Sequence, residues 1–466
     1  MKQSQQAQTR YTLMKQKTNT RVRGFFTRSR DAIASRQRIL STLLSTYDTY
    51  GFEQMETPSL ESLDLLSGNL PDTDRPNGGL ITADLGEDPA ALRYDLTAPL
   101  SRYCAEQGDA LPKPFLRSAA GMVWRNEKPS PGRSREFWQC DADVVGASLS
   151  VFPSMLSMVA QGLKSLKTPA FTFKINDRRL LDALMKAAGV KPEQYTAVLR
   201  TLDKFDKVGE EGVQSLLEKG LKDESGTFIQ GLDLPPQQVS FILNLLQKEQ
   251  PWIEVADALD QELADEWRTY ISLLDSFELD YELDITIARG LSYYTGPVFE
   301  IILNDAKTTQ KAGGAIGAGG AYDLNKKNGG QTLPAFGVSV GVDRLSQVLP
   351  PPKPPKPLLI VMSMNDDVLW EQTTAAQLRA AGWRTLAYPG RVRNFTKKLK
   401  WADKTGAAFV IFRGEDEKEQ GRVQIKDLKL GKELSQSLSN EDWKRQPQQQ
   451  SVPENQLLET LKKKRT

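Results

Sequence analysis

No histidine occurs anywhere in the 466 residues, and that absence removes the commonest general base and the commonest metal ligand together. Ser-His-Asp hydrolysis, HExxH metalloproteolysis and His-ligated zinc sites are thereby excluded. The two cysteines, Cys104 and Cys140, lie in no CxxC pattern, which excludes a thiolate metal site and fits a reducing compartment. No apolar run approaches the roughly 18 residues that span a bilayer. The N-terminus carries Lys2, Arg10, Lys15, Lys17, Arg21 and Arg23 without an acidic residue or an apolar stretch, so it does not read as a secretory signal. A cytoplasmic protein without membrane contact is expected. A strong net charge is missing as well: the balance is only +2, so a nucleic-acid partner has to be argued from local clusters. These absences leave chemistry run by arginines, carboxylates and bound Mg²⁺, as in phosphoryl and nucleotidyl transfer, or a protein that is no enzyme.

What is present divides the chain. Its length suggests two to four domains at roughly 100 to 200 residues each. After a basic N-terminal arm over 1–23, Asp31 to Tyr50 places Ile33, Ile39, Leu40, Leu43, Leu44 and Tyr47 at helical spacing, with Gly51 as a stop. An extended run from Phe52 to Pro58 follows. From Leu92 come short apolar segments such as Met122–Trp124 and Phe137–Val145, which read as strands of one mainly antiparallel sheet. Residues 176–278, rich in Leu, Lys, Glu and Asp at helical periodicity, read as a helical insertion. Strand-like segments return at Tyr281–Ala288, Val298–Leu303 and Phe336–Val348, so one α+β domain spans 24–349 around the insertion. Pro350–Pro357, with six prolines and two lysines, reads as a stiff linker. Over 358–440, strands at Leu358–Ser363, Trp383–Tyr388, Ala407–Phe412 and Val423–Leu428 surround helices near Trp370–Ala381 and Phe395–Thr405, which predicts a small, largely parallel α/β domain. Residues 441–466, ending in Lys462, Lys463, Lys464 and Arg465, read as a polar, basic tail.

The segment from Arg125 to Phe137, RNEKPSPGRSREF, puts glycine and prolines between two strand-like runs with Arg125, Arg133 and Arg135 nearby. Three guanidinium groups around a hairpin can clamp a polyphosphate through bidentate, charge-assisted bonds. A charged surface hairpin is the plain alternative. The glycine-rich run Gly313–Gly320 lacks the Lys-Ser/Thr ending of a P-loop and instead suits close passage of backbone past a bound molecule.

This hairpin together with the following Trp138-Gln139-Cys140-Asp141-Ala142-Asp143 resembles motif 2 of class II aminoacyl-tRNA synthetases, in particular the histidyl family. The Ala288–Glu300 segment, ARGLSYYTGPVFE, and Gly319-Gly-Ala-Tyr-Asp323 resemble the two histidine-specific motifs of that family. Gly337–Leu345, GVSVGVDRL, resembles motif 3, and the helix ending at Gly51 with the strand to Pro58 resembles motif 1, which in the family builds the dimer interface. Phe395–Asp403 and Gly414–Leu430 resemble its anticodon-binding domain. The likeness runs from about residue 24 to about 430, and RNEKPSPGR with Leu92–Pro99 is closest to the alphaproteobacterial branch.

The resemblance implies a homodimeric ligase that uses ATP with Mg²⁺ to activate L-histidine and then charges tRNA(His). Position by position, it implies that Arg125 neutralises the α-phosphate, Arg133 reaches the terminal phosphate and Glu127 reads the adenine amino group, with Phe137 and Arg344 stacking on the ring. Asp95, Thr97 and Gln139 would hold the amino acid's α-amino group. Asp143, Tyr294 and Tyr322 would face its imidazole. Arg289 would sit opposite Arg125, contacting both α-phosphate and amino acid as the main catalytic residue; a structural ion pair with Glu282, Asp284 or Glu300 is its alternative. No metal-ligand set is implied. Ser130, Ser292 and Ala321 depart from the family pattern. Two alternatives therefore stay open: a retired paralogue acting as regulatory subunit of ATP phosphoribosyltransferase, and a tRNA-binding sensor.

Overall fold

The computed structural model describes residues 21–68, 79–130, 132–202, 204–222, 226–246, 252–285, 287, 294–324, 332–352, 356–434 and 448–464. The chain forms two compact units, Met1–Pro352 and Lys353–Thr466.

The first unit is built on an eight-stranded sheet in the order Glu53–Gln54, Phe115–Trp124, Glu136–Val145, Leu333–Gly341, Gly317–Leu324, Tyr294–Leu303, Phe171–Asp177, Tyr281–Leu283. The two edge pairings are parallel and the inner ones antiparallel. Alternation along each strand sends apolar side chains to one face. On Glu136–Val145 these are Cys140, Ala142 and Val144, and on Leu333–Gly341 they are Phe336, Val338 and Val340. Among the helices covering that face, three contribute large side chains. Arg30–Thr49 contributes Ile39, Leu43 and Tyr47, Phe152–Ser165 contributes Phe152, Leu156 and Val159, and Gln261–Ser276 contributes Trp267, Tyr270 and Leu274. The first of these begins where Ser29 accepts a hydrogen bond from the Ala32 amide and stops before Gly51 at φ +86°. The opposite face is left open for chemistry.

Several expectations are corrected. Of the extended run 52–58, only Glu53–Gln54 pairs as a strand. Leu92 ends a strand of a separate three-stranded sheet with Leu60–Ser62 and Ile81–Leu85, and Thr97 then opens the helix Thr97–Gln107. The helical stretch also contains a hairpin, Gly220–Lys222 with Phe228–Gln230. Its packing is divided: Leu184, Val198, Leu217 and Ile242 form their own cluster, whereas Trp252, Trp267 and Tyr270 belong to the core beneath the main sheet.

In the second unit the strand order is Arg384–Ala387, Leu358–Ser363, Phe409–Arg413, Arg422–Asp427, Gln449–Pro453. The first three run parallel, as expected, but the last two are antiparallel. Only the five-residue helix Glu415–Glu419 lies between Arg413 and Arg422, too little chain for a parallel crossover. The expected polar tail is also corrected. Gln449–Pro453 pairs with Arg422–Lys426, and Val452, Leu457 and Leu461 are buried in the domain core.

Among the described residues no helix is long and apolar enough to cross a membrane.

Candidate active site

The open face of the sheet is polar because the residues between the apolar positions are polar. Gln139, Asp141 and Asp143 alternate with Cys140, Ala142 and Val144 along one strand and point away from the core. Their cross-strand partners are Gly341, Ser339 and Gly337 on one side and Gly121, Ala119 and Arg117 on the other. Small residues next to long polar ones hollow out this face. Gly337 is required, since a Cβ there would collide with Asp143 Oδ1. A side chain at Gly320 would come within 2.7 Å of Pro297 O and 2.9 Å of the Tyr294 ring.

Above the strands lies a cavity of about 800 Å³. Its wall includes Arg125, Glu127, Arg133, Phe137, Gln139, Tyr294 and Arg344, all picked out from sequence, together with Glu300, named there only as a possible partner of Arg289, and Arg28 and Ser339, which were not picked out. Arg125 donates from Nε to Tyr94 O at 3.1 Å, and its guanidinium lies 5.3 Å from the centre of the Phe137 ring, covering one ring face. Arg344 donates to Ala315 O at 2.7 Å. Gln139 Nε2 donates to Ser339 Oγ at 2.8 Å while its Oε1 is buried and accepts no hydrogen bond. Arg133 is exposed at the hairpin tip.

Arg135 does not join the other two hairpin arginines on this wall. It donates to the Glu127 carbonyl at 2.9 Å and to Arg23 O at 3.4 Å, and it packs against Gly24. Its work is to tie the segment near residue 24 across the hairpin. Arg28 extends that strap by pairing with Asp343 at 2.7 Å, and Asp343 accepts from the Trp138 amide at 2.6 Å. A charge pair between residues so far apart in the chain leaves no local signal from which Arg28 could be found.

Asp95, Thr97, Asp143 and Tyr322 are not on the cavity wall but sit behind it. Asp95 accepts from the amides of Thr97 and Ala98 at 3.1 and 2.9 Å, capping the helix that follows. Tyr322 OH donates to Asp143 Oδ1 at 2.6 Å, and Tyr322 pairs across the sheet with Tyr294. Burial raises the pKa of Asp95 and of Asp143; in Asp143 the Arg117 guanidinium and the Tyr322 hydroxyl oppose it. Asp141, 3% exposed, is pushed up to about 8, first by burial and then by the neighbouring Asp143. Asp141 and Arg117 were missed from sequence, although the polar alternation at 139, 141 and 143 carried the signal for the first.

Arg289, together with Ser292, lies outside the described residues. Of the carboxylates that could have tied it structurally, Asp284 and Glu282 pair with Lys174 at 3.0 and 3.5 Å. The chain leading toward it is held by Asn176, fully buried, whose Nδ2 donates to Ile285 O and Ile287 O.

An antiparallel sheet that carries an arginine hairpin between two strands, with a second arginine on the helix after a third, defines a class II aminoacyl-tRNA synthetase. Comparison with known proteins narrows this. The histidyl-tRNA synthetase family model matches residues 24–345, and an anticodon binding domain model matches 358–464. The chain is 39% identical over 465 residues to the histidine–tRNA ligase of Paracoccus denitrificans, covering 92% of this chain and 94% of the relative. It is 38% identical over 461 residues to that of Ruegeria sp., with 92% of each covered. The crystal structure of histidyl-tRNA synthetase from Nostoc sp. PCC 7120 matches with a TM-score of 0.68 at 25% identity, over 96% of this chain and 100% of that one. A Bacillus halodurans protein described as an ATP phosphoribosyltransferase regulatory subunit/histidyl-tRNA synthetase shares the fold at 21% identity with a TM-score of 0.68, over 85% of this chain and 99% of that one. The chain belongs to the histidyl-tRNA synthetase family.

Proposed function

We propose that this protein is a histidine–tRNA ligase whose first step, attack of the histidine carboxylate on the α-phosphorus of ATP, takes place in the cavity over the open sheet face. The observation that carries this reading is the meeting of Arg125, Glu127, Arg133, Phe137 and Arg344 on one wall with Gln139 and Tyr294 beside them. Arg125 and Arg133 supply fixed positive charge for the phosphates, and Phe137 offers an aromatic face for adenine. Attack needs no protein base, because a carboxylate is ionised at neutral pH. The new bond joins carboxylate oxygen to α-phosphorus, and pyrophosphate leaves with the electron pair. Arg289 is the residue we assign to the opposite side of the α-phosphate, on family resemblance. The ribose hydroxyl at the tRNA 3′ end then attacks the carbonyl carbon and AMP departs.

Mg²⁺ fits this site as a companion of the nucleotide: among the described residues no cluster of three or more ligating side chains exists, and Mg²⁺ is commonly held by one or two carboxylates plus phosphate oxygens. Glu300 on the cavity wall would be such a carboxylate, and the ion would neutralise charge on the departing pyrophosphate. Asp95, Thr97 and Gln139 are assigned to the α-amino group, Asp143, Tyr294 and Tyr322 to the imidazole side. A homodimer in the cytoplasm completes the reading. The regulatory-subunit alternative is disfavoured by the arginines on the cavity wall together with the anticodon-binding module, and the sensor alternative is separated by activity. Histidine-dependent ATP–pyrophosphate exchange, followed by charging of tRNA(His), is the test. A folded preparation that exchanges no label with histidine present would remove the enzyme reading.

A further inference from the structure

Beneath the imidazole side of the cavity lies a charged residue to which the reaction gives no role. Arg117, on Phe115–Trp124, is 1% exposed, buried as deeply as the apolar core residues. A buried guanidinium costs several kcal/mol unless it is paired and bonded. Its Nη2 donates to Leu96 O at 2.7 Å and lies 3.3 Å from Asp143 Oδ2. Leu96 sits between Asp95 and Thr97, so the one guanidinium links Asp143 to the backbone of that segment. Asp143 Oδ1 is already taken by the Tyr322 hydroxyl, while Oδ2 accepts no hydrogen bond. Oδ2 is thus buried behind the cavity wall, with Arg117 as the cation beside it.

We propose that Arg117 is a positioning residue for amino-acid selection: from behind the cavity wall it fixes the orientation and the negative charge of Asp143, the carboxylate assigned to the imidazole. This rests on the reading of the cavity as a histidine-activating site. The groups facing Asp143 support the assignment. Asp141 and Asp95 are carboxyls whose protonated form burial favours, Tyr322 donates to Asp143, and Tyr294, Cys104 and, through the sheet, Tyr47 are held protonated by burial. Burial, and then the neighbouring Asp143, favour the protonated form of Asp141, with Arg117 opposing them. The other buried guanidinium nearby, Arg93, is bonded to Met122 O, Thr57 O and Pro58 O. Among the described residues, Arg117 is the cation paired with Asp143.

The test is exchange kinetics on full-length protein from pH 6 to pH 9. In Arg117→Met the KM for histidine should rise by about tenfold or more at pH 7, the loss expected for a charge-assisted hydrogen bond, with the KM for ATP unchanged. That histidine KM should fall again as pH rises, because Asp143 without its cation ionises only at higher pH. Arg117→Lys should recover most of the affinity, and it also serves as the probe if the Met variant does not fold. In an Asp143→Asn background Arg117→Met should add nothing to the histidine KM. An unchanged histidine KM, a parallel rise in both KM values, or full additivity with Asp143→Asn would each overturn the proposal. Lack of exchange by the unaltered protein would instead refute the activity itself.

Discussion

At the scale of single residues, the open face works through a few buried charges. Asp143→Asn keeps the shape of the side chain and removes its negative charge. It should raise the histidine KM by about tenfold or more while the KM for ATP stays constant; equal KM values in mutant and parent would count against imidazole recognition there. Asp141 makes a different prediction. Its folded-state pKa, about 8, lies above that of an unfolded aspartate, so the folded state keeps a proton that the unfolded chain releases. Stability therefore declines as pH rises from the ordinary carboxylate range to about 8 and levels off beyond it, by on the order of 1 kcal/mol per pH unit for this group. Asp141→Asn should flatten that decline in denaturant titrations at pH 5, 6, 7 and 8. An identical pH slope in mutant and parent would show that Asp141 ionises normally.

At the scale of elements, alternation on Glu136–Val145 is legible from residue order alone: apolar positions at 140, 142 and 144, polar at 139, 141 and 143. One face for the core and one for chemistry follows from the two-residue period of a strand. What could not be read was which hairpin arginine would turn away. Arg125, Arg133 and Arg135 look alike in sequence, yet Arg135 is spent on the Glu127 and Arg23 carbonyls. The helical stretch 176–278 shows the same limit, since periodicity identifies helices but not the surface they cover. Trp267 packs edge-on against Phe152 and Tyr270 under the main sheet, and its Nε1 donates to Asp177 at 3.0 Å. Trp267→Ala should therefore destabilise the first unit by about 3–5 kcal/mol, read as an early shift of its whole unfolding transition. Loss confined to the neighbouring helices, with the sheet melting unchanged, would contradict that packing.

At the scale of the whole molecule, two units with separate cores allow the two half-reactions to be separated. A chain ending at Pro352 is expected to retain histidine-dependent exchange while its charging of limiting tRNA falls by about two orders of magnitude, because a second binding module no longer adds to the first. Undiminished charging, or loss of exchange in a folded truncated protein, would show that the units do not divide the work in this way. The segment 449–463 belongs inside the second unit although it reads as a tail. Its three buried residues, Val452, Leu457 and Leu461, are too few and too widely spaced among glutamines and lysines to announce a strand and a helix.

The sequence by itself determined the chemistry to expect, because the absence of histidine and the ordered arginine, glycine and aspartate motifs are statements about residue type and spacing. It also determined most elements, which follow from local periodicity. Only the tertiary structure decided which charges face the cavity, which lie under its floor, and which serve as straps. Those outcomes depend on contacts such as Arg117 with Asp143 and Arg28 with Asp343, made between residues far apart in the chain and chosen by burial rather than by any pattern along it.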